Sequence, residues 1–169
     1  MIVGAGPEEA ALKAQAVRLG LTNVVFVGAV GEEDKVALLT LCYALSFPSH
    51  LRSEAFGISL LEGAMYGKPL ISCEIGSGTT YINIDGETGL VTPPGDVQAL
   101  RAAMRTLWDN PKMAREMGAR AAARFEATFT AEKMAASYAA LYSELVARRE
   151  GRPAVAATGP AWPGTGTRD

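Results

Sequence analysis

The sequence contains few of the residues that build metal centres or disulfide frameworks. It has 2 cysteines and 1 histidine among 169 residues. Cys42 and Cys73 lie in apolar segments, without CxxC spacing or a nearby histidine, so we expect two reduced thiols in a hydrophobic core. His50 alone cannot supply the ligand set of a metal ion. We therefore expect neither a metal cofactor nor a disulfide framework.

Long apolar runs and clusters of like charge are also absent. No apolar segment approaches the ~20 residues that span a bilayer, and the first residues lack the pattern of a signal peptide, so we expect a cytoplasmic protein. The 16 basic and 18 acidic residues leave a formal charge of -2, with no basic stripe that could neutralise a row of phosphates. A nucleic-acid partner is therefore not expected.

Short apolar segments alternate with helical patterns along the chain. The segments that predict strands are 1–3, 24–27, 44–47, 70–73 and 89–91. Between the first two, Leu12, Ala16 and Leu19 recur at helical spacing before Gly20, and similar patterns follow the later strands. Continuous apolar strands that alternate with helices are typical of a parallel sheet covered on both faces. The predicted fold class is α/β, with a Rossmann-like parallel sheet flanked by helices.

Three helices and a tail are predicted for the rest of the chain. Asn110 and Pro111, a cap and a first-turn proline, separate an amphipathic helix that begins near Val97 from a second that ends near Phe125. Thr130 can cap a third helix. Residues 151–169 are rich in Pro, Gly, Thr and Ala without periodicity, so we expect a disordered tail after one folded domain over residues 1–150.

The loop after the third predicted strand is the strongest candidate for a binding site, because open parallel sheets bind ligands at the carboxyl ends of their strands. Residues 49–62 read SHLRSEAFGISLLE and lead into a helix whose first amides favour an anion such as a diphosphate. If Glu54 and Glu62 both lie on that helix, ~12 Å of rise separates them and both face one crevice.

That spacing fits a nucleotide sugar. One carboxylate would accept hydrogen bonds from sugar hydroxyls and the other from ribose hydroxyls, while the amides near Gly57 hold the phosphates. The alternative is that Glu54 only satisfies the helix dipole and that Glu62 is a solvated helix residue.

Two ordered motifs give residues 2–142 a family resemblance. Residues 54–62 match an E-x7-E signature, and residues 86–96, GETGLVTPPGD, match a later strand-and-loop signature. On these motifs the chain resembles the C-terminal, donor-binding domain of retaining glycosyltransferases of family 4, which have the GT-B fold. It is similar to bacterial mannosyl- and rhamnosyltransferases of polysaccharide assembly. The resemblance implies a hexosyltransferase that transfers from a nucleotide sugar, such as GDP-mannose or a related GDP-sugar, to a glycan or lipid-linked acceptor without a required metal.

The resemblance also implies roles for individual residues. Glu54 would contact the hydroxyls of the donor sugar, and Glu62 would contact the ribose. The backbone of Phe56, Gly57 and Ile58 would contact the sugar, and that of Gly57 and Ile58 also the diphosphate.

Two further loops are candidate parts of the pocket. The family places the nucleobase beside residues 28–32, where Val30 and Glu32 lie; Glu32 could accept from guanine or simply stabilise the start of a helix. Residues 74–83 depart from the commoner family pattern of a Gly-Gly pair before a Glu, which puts a third carboxylate in doubt. Thr79 and Thr80 could donate to phosphate oxygens there, or the segment could be an ordinary turn.

In the resembling family this domain begins with another strand, central in the sheet, and with a loop that contributes an Arg and a Lys to the diphosphate. Neither precedes the first strand here. We therefore expect an N-terminally truncated donor domain, inactive alone, with a gap between two half-sheets or a rearranged core. The expected partner is the missing N-terminal acceptor domain, through which any peripheral membrane association would run.

The alternatives to a glycosyltransferase fragment are a noncatalytic nucleotide-sugar or protein interaction module, a nucleotide-sugar epimerase, or a sugar phosphorylase of similar fold.

Overall fold

A computed structural model describes residues 1–149, in which short parallel strands alternate with helices. The elements are β1 (Ile2–Val3), α1 (Glu9–Arg18), β2 (Phe26–Gly28), α2 (Glu32–Leu41), β3 (Leu45–Phe47), α3 (Ile58–Met65), β4 (Leu70–Cys73), α4 (Thr79–Ile82), β5 (Gly89–Thr92), α5 (Val97–Asp109), α6 (Pro111–Thr128) and α7 (Ala131–Arg149). The tail predicted for residues 151–169 lies outside the described residues. None of the helices described is long and apolar enough to cross a membrane.

The five strands form two parallel sheets rather than one. β1 pairs with β2, and β3, β4 and β5 pair in that order. Within the described chain no ladder joins β1 or β2 to β3, so the sheet is divided at the place where the sequence predicts a gap. The predicted α/β fold with parallel strands flanked by helices is confirmed.

The core is built on both faces of β4, because neighbouring residues of a strand point to opposite faces. Leu70 belongs to a cluster on one face, and Ile71 belongs to a cluster on the other. The first cluster also contains Leu60, Ala64, Ile82 and Ala121, and the second contains Ala103, Leu107, Ala114 and Met117. Helices α3, α4 and α6 therefore cover one face of this sheet, and α5 and α6 cover the other.

The two cysteines follow the prediction in part. Both are free thiols, and Cys73 is buried at the end of β4. Cys42 is only half-buried, at the end of α2, and its partial burial raises the pKa of its thiol.

The N-terminal part of the molecule is far less buried than the three-stranded sheet. None of the described residues 1–38 is buried, and Leu39 is the first that is. Val17 on α1, for example, is 80% exposed. The two residues of β1, Ile2 and Val3, are 42% and 46% exposed, whereas all four residues of β4 are buried.

We expect this difference to appear in amide hydrogen exchange. Local opening of a segment takes less free energy where few apolar contacts are buried, so amides of β1 and β2 should exchange at least ~100-fold faster than those of β4. Exchange followed by mass spectrometry or NMR at neutral pH would measure it. Equal protection in the two sheets would contradict the division described above.

Candidate functional site

The loops that follow β3 and β4 pack directly against each other at the carboxyl ends of these strands. The amide of Gly78 donates to the carbonyl of Ala55 over 2.9 Å. A Cβ atom on Gly78 would lie 2.6 Å from Cδ2 of Phe56, so only glycine allows this approach. The Phe56 ring in turn contacts Phe129 edge to face, with 6.4 Å between the ring centroids.

The loop after β4 is anchored by a buried amide side chain that the sequence did not single out. Asn83 follows α4 and is fully buried. Its Nδ2 donates to Oγ of Ser72 and to the carbonyl of Leu90, over 2.9 and 3.1 Å, while its Oδ1 accepts from Thr88 over 3.0 Å. These bonds connect the end of α4 to β4 and β5. They also satisfy a buried amide, which would destabilise the fold if it were left unpaired. A polar residue within a buried segment is the only sequence signal for such an anchor.

Helix α3 begins immediately after a glycine in the left-handed conformation. Gly57 has φ 95° and ψ 58°, which side chains disfavour. Its carbonyl accepts from the amides of Leu60 and Leu61. The amides of Ile58 and Ser59 have no acceptor among the described residues, as is usual for the first turn of a helix. Two donors are therefore available to an anion at this helix end.

Glu54 does not lie on α3, so the helical relation predicted between Glu54 and Glu62 is wrong. The left-handed turn at Gly57 redirects the chain, and only Glu62 lies on the helix. The Glu54 carboxylate instead folds back on its own loop, where Oε1 accepts from the amides of Phe56 and Gly57 over 3.3 and 2.8 Å. Oε2 is left for another donor.

A lysine joins the two carboxylates predicted for the nucleoside end of the ligand. Nζ of Lys35 donates to Oε1 of Glu62 over 2.7 Å and to Oε1 of Glu32 over 2.9 Å. The hydrogen bond to Glu62 and then that to Glu32 raise the pKa of Lys35 above its ordinary value. The spacing of Glu32 and Lys35 on α2 is a helical ion-pair signal, but it contains no indication of Glu62, 27 residues further along the chain.

The remaining predicted contacts differ in accessibility. Thr79 is buried, and its Oγ1 donates to the carbonyl of Cys73 over 3.3 Å. Thr80 is half-buried, and its hydroxyl has no partner among the described residues. Val30 is half-buried in the loop between β2 and α2, and Glu32 is exposed at the first turn of α2. Of the two threonines, Thr80 is thus the more available to a ligand.

Comparison with known proteins matches the chain to a protein family and to individual relatives. The model of the family "Glycosyl transferases group 1" matches residues 1–124. A D-rhamnosyltransferase of Pseudomonas aeruginosa is 69% identical over 123 residues, which are 73% of this chain and 32% of that protein. The O-antigen chain mannosyltransferase C of Escherichia coli is 55% identical over 118 residues, 70% of this chain and 32% of that protein. The chain thus spans about a third of the length of these relatives.

Solved structures share the fold. The Anabaena protein HepE, crystallised with UDP, superimposes with a TM-score of 0.75 at 25% identity, over 83% of this chain and 39% of that one. Sucrose-phosphate synthase of Thermosynechococcus elongatus gives a TM-score of 0.74 at 28% identity, over 86% of this chain and 38% of that one. The sequence-based fold prediction is confirmed by these matches, whereas the roles of individual site residues stay predictions.

The turn at Gly57 can be tested with a pair of alanine substitutions. Gly57→Ala should lower the free energy of unfolding by about 3 kcal/mol, because the left-handed conformation disfavours alanine and the new Cβ would lie 3.0 Å from Leu60 Cδ1 and 3.3 Å from Thr79 Cγ2. Gly86 has φ 74° with no heavy atom within 4 Å of an added Cβ, so Gly86→Ala should lower it by only about 1–2 kcal/mol. Urea denaturation measures both values. Equal losses would show that the packing around Gly57 is looser than described.

Proposed function

Because the chain belongs to the family of group 1 glycosyl transferases, we propose that it binds the donor of a retaining hexosyltransferase. The proposed donor is a nucleotide sugar, GDP-mannose or a related GDP-sugar, because two relatives are named as a rhamnosyl- and a mannosyltransferase and a third as a GDP-mannose-dependent mannosyltransferase. The observation that carries the proposal is the first turn of α3, with two unpaired amides between a carboxylate in the preceding loop and a second one on the helix.

The proposed donor lies with its diphosphate at the start of α3. The amides of Ile58 and Ser59 donate to phosphate oxygens, where the helix dipole also favours negative charge. The amides of Phe56 and Gly57 are held by Glu54 in this structure and contribute to the sugar and diphosphate only when that carboxylate shifts. Thr80, and Thr79 if its bond to Cys73 is released, supply further donors on the phosphate side.

The two carboxylates bind the two sugars of the donor. Oε2 of Glu54 accepts from hydroxyls of the transferred hexose, and Glu62 accepts from hydroxyls of the ribose. The nucleobase lies against Val30 in the loop before α2, with Glu32 accepting from guanine. Each residue acts by binding or orientation, and no residue of this chain is proposed as a nucleophile or general base.

Transfer leaves a nucleoside diphosphate, so negative charge grows on the diphosphate as the glycosidic bond breaks. Donors that are already oriented stabilise that charge without reorganising in the transition state, which is the contribution we assign to the start of α3. The acceptor, a glycan or a lipid-linked saccharide, is proposed to bind to an N-terminal domain, since the chain matches only about a third of the length of its relatives. The chain alone is proposed to bind the donor without turnover, and the enzyme to act in the cytoplasm, with any membrane association through the other domain.

The alternatives are separated by turnover. A noncatalytic nucleotide-sugar module would bind the donor identically. In that case the full-length protein would transfer no sugar to an acceptor. An epimerase or phosphorylase is not favoured, because the relatives are named as sugar transferases.

Calorimetry of the chain with GDP, UDP, ADP and their sugars tests the proposal. Replacing Glu62 by alanine removes a charged acceptor of the ribose hydroxyls and should weaken nucleotide binding about tenfold or more. Glu9→Ala is the matched control, because Glu9 also accepts from a lysine, Lys13, over 2.6 Å but lies on α1. A folded chain that binds none of these nucleotides would overturn the proposed function. Binding that Glu62→Ala leaves unchanged would reject the ribose role.

Glu54 should matter for the sugar and not for the nucleotide. Glu54→Gln keeps an oxygen that can accept from Gly57 but replaces a charged acceptor of the hexose hydroxyls by a neutral one. GDP-mannose should bind about three- to tenfold more weakly. GDP should bind at least as well as to the unmodified chain, since a negative charge near the diphosphate is removed. A parallel loss for GDP and GDP-mannose would place Glu54 at the phosphates instead.

A further inference from the structure

We propose that Lys35 is a positioning residue for the nucleoside of the donor, and that it holds the Glu62 carboxylate in place for the ribose hydroxyls. This inference rests on the proposed function, because it assigns a second residue to the ribose end of the same site. Lys35 lies between Glu32 and Glu62, the two carboxylates that are predicted to contact the nucleoside. The inference assigns this lysine a role in nucleoside recognition.

The geometry supports the proposal, since one ammonium group reaches both carboxylates. Lys35 donates to Glu62 on α3 over 2.7 Å and to Glu32 on α2 over 2.9 Å. The two accepting oxygens therefore lie no farther apart than the sum of these distances. In both carboxylates the bonded atom is Oε1, and neither Oε2 has a hydrogen-bond partner among the described residues. Each carboxylate is thus oriented by Lys35 while one of its oxygens remains available to a ligand.

Lys35 also reduces the net negative charge that surrounds an anionic ligand at the nucleoside end of the proposed site. The first turn of α2 carries Glu32, Glu33 and Asp34, and Glu62 faces it from α3. Without a cation among them, these carboxylates would repel a nucleoside diphosphate. Its carboxylate partners raise the pKa of Lys35, which favours the charged ammonium form.

The two ion pairs of Lys35 differ in exposure. The side chains of Lys35 and Glu62 are 32% and 29% exposed, and that of Glu32 is 84% exposed. The pair with Glu32 therefore contributes little to folding because solvent screens it, whereas the partly buried pair with Glu62 is screened less. The Lys35–Glu62 pair also has a geometric effect: it joins α2, which follows the proposed nucleobase loop, to α3, through side chains that are 27 residues apart in the sequence.

The experiment combines a change in the protein with a change in the ligand. Lys35→Met removes the charge of the lysine, and a 2′-deoxy nucleotide lacks one ribose hydroxyl. Calorimetry gives dissociation constants for GDP and 2′-deoxy-GDP, with UDP and 2′-deoxy-UDP as a second pair of probes. For the unmodified chain, the deoxy nucleotide should bind about tenfold more weakly, as expected for a hydrogen bond to a charged group. Lys35→Met keeps the aliphatic stem but removes the charge, and should reduce this discrimination to about twofold or less.

Three further variants make the result specific. Lys35→Gln is a second neutral variant and should behave as Lys35→Met, whereas Lys35→Arg keeps the charge and should retain most of the discrimination. Lys13→Met breaks the comparable Lys13–Glu9 pair on α1 and should change neither the melting temperature nor the discrimination appreciably.

The outcomes separate the two proposals. Discrimination that is unchanged in folded Lys35→Met and Lys35→Gln would overturn the role of Lys35 and leave the proposed function standing. The absence of nucleotide binding by the unmodified, folded chain would overturn the proposed function and this inference with it.

Discussion

The candidate site depends on the close packing of two loops, one after β3 and one after β4. Gly78 brings them together because any side chain there would clash with Phe56, and its amide completes the contact by bonding to Ala55. On one side of this contact, Gly57 turns the chain into α3 and leaves two helix amides unpaired. On the other side, Asn83 ties the second loop to the buried strands. Removing this contact would release the start of α3 from the sheet.

The two parts of a nucleotide sugar make opposite electrostatic demands on the proposed site. A nucleotide sugar offers hydroxyls, which carboxylates bind well, and a diphosphate, which carboxylates repel. The structure separates them: amides face the position proposed for the phosphates, and the carboxylates of Glu54 and Glu62 lie before and within α3. Lys35 balances charge at the nucleoside end. The Glu54 carboxylate accepts from the amides of Phe56 and Gly57 in its own loop.

The two halves of the site belong to parts of the molecule with different burial. The positions proposed for the diphosphate and the hexose lie beside the three-stranded sheet, whose central strand is buried on both faces. The position proposed for the nucleobase lies at the loop after β2, in a region where no described residue before Leu39 is buried. The ion pair between Lys35 and Glu62 connects the two parts of the molecule, from α2 to α3.

The sequence by itself determined the α/β class and the order of the strands and of most helices, and it predicted a binding site at residues 54–62. These are encoded locally, by apolar periodicity, by Gly and Pro at the ends of elements, and by a motif of fixed spacing. It did not reveal α4, it left open whether the sheet has a gap or a rearranged core, and it allowed Glu54 to lie on the same helix as Glu62. The tertiary structure decided those features and the contact between Lys35 and Glu62. A left-handed glycine changes the direction of the chain without altering apolar periodicity, and side chains 27 residues apart meet only after the helices have packed.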